Sequence, residues 1–177
     1  MSLSEFEEII VKSEGIFKYI YLHVMGEPLC HPELSSILGI LKKYKKRVCV
    51  TTNGTLLSQR GDILLSYPET VHKVSVSLHA PEGNGADSLT SYLTSVTEFA
   101  KRASEVGIYT VLRLWNEDSK DAKGRNLFNP EIESFLSAVF PEPREERSRG
   151  VRLAKYIFLE YGGAFVWPKD IFEFSFS

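Results

Sequence analysis

Small and charged residues follow the apolar segments of this chain at the points where those segments end. Glu27 offers a carboxylate to a cationic group, and Arg113 offers a planar guanidinium fork to a carboxylate. Glycine at such a point lets a ligand approach the backbone closely. If the segments are parallel strands, an acid and an arginine at one sheet edge would hold a zwitterion, such as the amino-acid end of a ligand. The candidate binding residues are Gly26, Glu27, Pro28, Thr52, Asn53, Ser77, His79 and Arg113.

The segments that carry these residues alternate between strand and helix patterns. Strands are predicted over residues 16–25, 47–52, 71–78, 108–115 and 151–161. Helices are predicted over residues 3–13, from His31-Pro32 onward, and over 55–67, 89–106 and 130–139. Ser4 and Glu7 suggest a capping box for the first helix, and Gly107 a C-cap for the fourth. Residues 82–88 and 116–125 read as loops, and residues 141–150 as an exposed linker.

This alternation predicts an α/β fold built of parallel βα repeats. An eight-stranded TIM-type barrel takes about 250 residues, and this chain has 177. We therefore expect a single domain with a partial, open barrel. In such folds ligands bind at the carboxyl ends of the strands, where the candidate residues lie.

Composition narrows the range of partners. Apolar residues make up 43% of the chain, charged residues 25%, and the net charge is −2, with basic residues spread along the sequence. No nucleic-acid partner and no membrane are expected. The acidic, amphipathic N-terminal segment is no signal peptide. Two cysteines are too few for a disulfide framework, so a reducing cytoplasm is the expected location.

Three motifs in a fixed order resemble one enzyme family. MGEPLCHPEL at residues 25–34, TTNGTLL at 51–57 and VSVSLHA at 74–80 resemble the radical S-adenosylmethionine (SAM) superfamily, most of all its activating-enzyme and peptide-modifying branches. VSVSLHAP is also similar to the RNA-methylating branch, which the absence of basic patches disfavours. The resemblance covers most of residues 19–116, and the ordered set is more specific than any single motif.

The resemblance implies an enzyme that reductively cleaves SAM at a [4Fe–4S] cluster to make a 5′-deoxyadenosyl radical, which abstracts hydrogen from a substrate. That substrate is expected to be a protein or peptide, and the electron donor a low-potential protein of the flavodoxin or ferredoxin type. Gly26 and Glu27 would contact the methionine amino group, Arg113 the carboxylate, and Ser77 the ribose or carboxylate. Thr52 and Asn53 would shape the floor of the pocket.

The chain departs from the family pattern at the cluster. Relatives hold the cluster with three cysteines in a C-x-x-x-C-x-x-C loop after the first strand, whereas this chain has only Cys30 and Cys49. These two cannot supply a cubane site. We expect a fragment, inactive by itself, that holds strands 2 to 6 of the barrel. The first strand with its cluster loop, and any C-terminal auxiliary domain, would be absent.

Several residues have a second interpretation. Glu27 could cap the following helix, and Arg113 could sit in a structural ion pair instead of binding a ligand. His79 is a loop histidine that could contact SAM or substrate. Two other functions also stay open: a non-catalytic βα-fold binding or scaffold module, and an ordinary TIM-type aldolase or hydrolase with Glu27 as acid/base.

Overall fold

A computed structural model describes residues 1–23, 26–78, 89–114, 128–142, 145–147 and 150–162. The strands are β1 (Tyr19–Leu22), β2 (Arg47–Thr52), β3 (Val71–Ser77), β4 (Tyr109–Leu114), β5 (Glu145–Arg147), β6 (Gly150–Ala154) and β7 (Ile157–Tyr161). They form one seven-stranded sheet in the order β1-β2-β3-β4-β7-β6-β5. Strands β1, β2, β3, β4 and β7 pair in parallel, and the sheet is open, which confirms the predicted α/β fold class.

Five α-helices connect the strands within the described ranges. They are α1 (Leu3–Lys12), α2 (Leu34–Lys43), α3 (Leu57–Leu65), α4 (Leu89–Glu105) and α5 (Asn129–Val139), and a single 3-10 turn covers Pro28–Cys30. Each α-helix buries an apolar stripe, as a helix packed on a sheet must. No helix in the described ranges is long and apolar enough to cross a membrane.

The parallel strands send alternate side chains to opposite faces of the sheet, as the two-residue period of a strand requires. One face belongs to the buried hydrophobic core, with Val48, Val50, Val74, Val76 and Leu112 fully buried beside the helices. We call the opposite face the second face. It carries Tyr19, Tyr21, Arg47, Cys49, Thr51, Lys73, Ser75, Ser77, Tyr109, Val111, Arg113, Phe158 and Glu160.

The predicted fifth strand over residues 151–161 is wrong in its extent. The structure divides it into β6 and β7, an antiparallel hairpin that turns at Tyr156 with φ of +60°. The preceding segment is not wholly a linker either, because β5 pairs antiparallel with β6. Tyr156 carries none of the usual signs of a tight turn, which are glycine, asparagine or aspartate at positive φ. The apolar pattern is continuous over residues 151–161, so the sequence does not indicate the turn between β6 and β7.

Three boundaries at the N-terminal half also differ from the prediction. Strand β1 is four residues long and not ten. The capping box of α1 uses Ser2 and Glu5, whose carboxylate accepts a hydrogen bond from the Ser2 backbone N–H at 2.6 Å, and not Ser4 and Glu7. Helix α2 begins at Leu34, after the 3-10 turn, so Pro32 does not occupy its first position. The predicted C-cap at Gly107 is confirmed, since Gly107 has φ of +80° and its N–H donates to the carbonyl of Ser104.

Candidate functional site

Glu27 joins the corner after β1 to the turn after β2. It is the N-cap residue of the 3-10 turn, and its Oε1 accepts a hydrogen bond from the Leu29 backbone N–H at 3.0 Å. Its Oε2 accepts from the Asn53 backbone N–H at 2.8 Å. The side chain is half-buried. Glu27 therefore acts as a capping residue, and the same carboxylate also links the end of β1 to the end of β2.

The turn after β2 satisfies its own polar groups. The hydroxyl of the buried Thr52 accepts from the Gly54 N–H at 3.0 Å. The Asn53 side-chain oxygen accepts from the Thr55 N–H at 2.9 Å and from the Thr55 hydroxyl at 2.8 Å. Gly54 adopts φ of +81°, and a Cβ there would lie 2.8 Å from Val76 Cγ1. Thr52 and Asn53 thus shape the floor of this edge through local hydrogen bonds, and Gly54 permits close packing against β3.

Tyr92 on α4 connects the ends of β2 and β3. Its hydroxyl lies 2.8 Å from the carbonyl oxygen of Asn53 and 3.1 Å from that of Ser77, so one O–H serves both acceptors. Burial raises the pKa of Tyr92 far above its ordinary value, and the nearby Glu27 carboxylate raises it further. Tyr92 is not among the candidate residues predicted from the sequence. Tyr92 lies in the apolar stripe of an amphipathic helix, and a buried tyrosine hydroxyl needs a hydrogen-bond partner. The polar hydroxyl within that stripe is the feature of the sequence that could have identified it.

Ser77 and Arg113 lie side by side on the second face, because Ser77 pairs in register with Arg113 and Arg113 with Glu160. Arg113 Nε donates to Glu160 Oε2 at 3.1 Å, with the two side chains 20% and 41% exposed. The ion-pair interpretation of Arg113 therefore accounts for its partial burial without any ligand. Whether Arg113 also binds a ligand carboxylate stays a prediction.

A cleft of about 500 Å³ opens beside the Gly26-Glu27-Pro28 corner. Besides these three residues, its walls include Tyr21, His23, Cys30 and His31. Gly26 has φ of +82°, and a Cβ there would meet no described atom within 4 Å, so its backbone is open to an approaching group. The volume lies within the range of small-molecule sites in proteins, about 300–1,000 Å³.

The structure thus brings most of the predicted residues to one edge of the sheet. Glu27, Asn53, Tyr92 and Ser77 form one hydrogen-bonded chain across the ends of β1, β2 and β3. Ser77 and Arg113 do not line the cleft beside Glu27, so the predicted acid and arginine are not shown to share a pocket. His79 lies outside the described residues, as does Asn116.

The residues of this chain do not fit an iron–sulfur cluster. Cys30 is exposed next to the 3-10 turn, whereas Cys49 is buried within β2, and burial raises the pKa of the Cys49 thiol and so disfavours the thiolate that a metal needs. Among the described residues, no group of three or more His, Cys, Asp or Glu side chains is placed to hold a metal ion. Any cluster would need ligands from elsewhere.

A scan against protein-family models gives no match, and neither does a search of curated proteins. Among solved structures, the chain is similar to the crystal structure of archaeal TYW1, with a TM-score of 0.46 and 19% sequence identity. The alignment covers 75% of this chain and 49% of that one, so this chain spans about half the length of the structure it matches. Similarity at this level says nothing about activity.

Proposed function

We propose that this chain is part of the core of a radical SAM enzyme, and that the carboxyl edge of its sheet binds the methionine end of SAM. One observation carries the proposal. The three sequence motifs that suggested the family are joined at that edge by Glu27, which holds the Asn53 N–H, and by Tyr92, which contacts the carbonyls of Asn53 and Ser77. Motifs placed together in space by hydrogen bonds are what a shared ligand site requires.

Each residue has a definite part in this proposal. A carboxylate oxygen has more than one lone pair, so Glu27 can accept hydrogen bonds from the ammonium group of SAM while it keeps those from Leu29 and Asn53. The open backbone of Gly26 allows that ammonium to approach. Ser77 would meet the ribose or carboxylate. Arg113 would direct its guanidinium to the carboxylate, with Glu160 holding the guanidinium in place.

SAM supplies, in such enzymes, the 5′-deoxyadenosyl group that abstracts hydrogen from a substrate. The residues of this chain would bind and orient SAM, and residues outside this sequence would hold the [4Fe–4S] cluster. A protein or peptide substrate and a flavodoxin- or ferredoxin-type electron donor belong to the same proposal. So does a cytoplasmic location.

A second candidate is a βα-fold binding module without catalysis, which the two-cysteine count favours. An aldolase or hydrolase with Glu27 as acid/base is less well supported. Protonation of Glu27 would weaken its hydrogen bonds from Leu29 and Asn53, so proton transfer there would loosen the corner itself.

Isothermal titration calorimetry with SAM tests the proposal. We expect binding with a Kd on the order of 100 μM or weaker, since no cluster iron holds the amino and carboxylate groups. Glu27→Gln removes the charge at nearly constant size and should abolish detectable binding, and Arg113→Gln should weaken it. Glu69→Gln changes an exposed acid and is the matched control. Thermal unfolding of each variant separates lost binding from lost structure. Equal SAM binding by Glu27→Gln and the wild type would contradict the proposal.

A further inference from the structure

Two cations on the second face of the sheet have polar atoms without a partner among the described residues. Arg47, at the start of β2, is half-buried, and its buried Nε has no hydrogen-bond partner there. Lys73 on β3 is also half-buried and makes no hydrogen bond or ion pair within the part of the chain that the structure describes. A cation removed from water in this way costs free energy unless an anion or acceptor meets it.

The sheet register places these two cations close together. Lys73 pairs with Cys49, and Arg47 lies two residues before Cys49 on the same face. Two residues along a strand span about 6.6 Å and adjacent strands lie about 4.8 Å apart, so the Cα atoms of Arg47 and Lys73 lie roughly 8 Å apart. Long side chains can converge across that distance. Both cations act electrostatically on the Cys49 thiol and on the His72 imidazole, which shows that they share one region.

His72 adds a third polar group at the same place. It is the extra residue at the register shift between β2 and β3, where the step from Val48 to Cys49 faces the two steps from Val71 to Lys73. Its ring lies between those of Tyr19 and Tyr109, with centroid distances of 5.1 and 5.4 Å. Its Nδ1 is buried and has no hydrogen-bond partner in the part of the chain that the structure describes.

The neutral form of His72 is compatible with anion binding. Burial lowers the pKa of His72, and the cations Arg47, Lys73 and Lys18 lower it further, so the ring is neutral near pH 7. A neutral imidazole can donate one N–H without adding to the repulsion between the two cations. Bound anion would reverse that electrostatic effect and raise the pKa of His72.

Among the described residues, no unpaired acid lies on the strands next to this region. Strands β1, β2 and β3 contain no Asp or Glu, and Glu160 on β7 pairs with Arg113. A single guanidinium is sufficient for a carboxylate, whereas two cations with an added N–H match a doubly charged tetrahedral oxyanion. Bulges at which side chains are re-aimed are also frequent beside binding sites.

We propose that Arg47, Lys73 and His72 form a binding site for the phosphate monoester group of a small molecule. This anion site does not depend on the radical SAM proposal, and its ligand is separate from the protein or peptide substrate expected there. The site lies nearer the amino ends of the strands than the proposed SAM residues, so it would fix the far end of a ligand that extends along the second face.

Phosphate titrations followed by the His72 imidazole resonances test this site. Inorganic phosphate, glycerol 2-phosphate and acetate are added to the wild-type chain without SAM at pH 7.5 and fixed ionic strength, and loss of the signal in His72→Gln gives the assignment. We expect saturable shifts with phosphate and with the ester, a Kd on the order of 1 mM, and weaker shifts with acetate. Arg47→Gln and Lys73→Gln should each weaken binding about tenfold, whereas Lys42→Gln, on an exposed part of α2, should not.

Several outcomes would overturn the inference. Shifts that do not saturate, that are equal with acetate, or that survive both charge removals would show general ionic effects in place of a site. Phosphate binding with the ester excluded would overturn the assignment to a monoester. Circular dichroism tests whether each variant is folded. Lys73→Gln should disturb folding less than Arg47→Gln, because the charge that it removes lies at the end of the side chain. Since SAM is absent, failure here leaves the SAM proposal untouched, and loss of SAM binding leaves this site untouched.

Discussion

Replacement of Gly54 by alanine should destabilise the chain because the turn after β2 leaves no room for a side chain. The new Cβ would lie 2.8 Å from Val76 Cγ1 and 3.1 Å from the Tyr92 hydroxyl oxygen. Real Cβ atoms do not approach that closely, so β3 or α4 must shift. A shift of Tyr92 would also lengthen its hydrogen bonds to the ends of β2 and β3.

The expected loss of stability in Gly54→Ala has two separate causes. An alanine at φ of +81° costs about 1–2 kcal/mol from backbone strain. Overpacking against Val76 and Tyr92 adds about 1–3 kcal/mol. Gly107 offers the matched control, because its φ is +80° and a Cβ there would have no neighbour within 4 Å in the described part of the chain. Gly107→Ala therefore carries the strain alone.

Urea denaturation of the two alanine variants and the wild type measures the difference. Gly54→Ala should lose about 1–3 kcal/mol more than Gly107→Ala, at an unchanged denaturant slope. In thermal unfolding this corresponds to a melting temperature lower by roughly 2–12 °C. If Gly54→Ala is no less stable than Gly107→Ala, the close packing of the β2 turn on β3 and Tyr92 is wrong.

Two further predictions concern the same edge of the sheet. Tyr92→Phe removes the hydroxyl that serves two carbonyls and should cost about 1–2 kcal/mol in urea denaturation at pH 7. Burial raises the pKa of Tyr92, so its neutral hydroxyl stabilises the fold fully below pH 10.0 and contributes less as the pH rises above that value. Tyr92→Phe should therefore lose less stability than the wild type between pH 10 and 11. An equal loss of stability in the two proteins would contradict this. A double-mutant cycle of Arg113→Gln and Glu160→Gln should give a coupling free energy of at most about 1 kcal/mol, because both groups are partly exposed. That coupling should decrease in 1 M salt, and a larger, salt-independent value would refute the exposed geometry.

The parallel part of the fold was predictable because its periodic patterns are strong. Strand β2 was predicted with its exact bounds, and the apolar stripe of α4 with its Gly107 cap was unmistakable. The β6–β7 hairpin was not, because Tyr156 takes positive φ without any glycine or asparagine to signal it. A turn stabilised by the surrounding sheet leaves no local mark in the sequence.

The candidate site was predictable in position but not in its internal bonding. Residue types placed Glu27 and Asn53 at neighbouring strand ends, which the parallel register confirms. Both Glu27 oxygens accept hydrogen bonds from backbone N–H groups, and this depends on the packing of two loops that are distant in sequence. The same is true of Arg113, whose partner Glu160 is 47 residues away in sequence. Contacts of this kind are fixed by tertiary packing.

A two-dimensional ¹⁵N–¹H spectrum of the chain titrated with SAM tests whether SAM binds at the carboxyl edge of the sheet. If it does, the amide signals of Leu29 and Asn53, whose N–H groups donate to Glu27, should shift progressively with SAM and stay unchanged in Glu27→Gln. SAM-dependent shifts that leave both amides unmoved, or no shifts at millimolar SAM, would contradict a SAM site at this edge of the sheet.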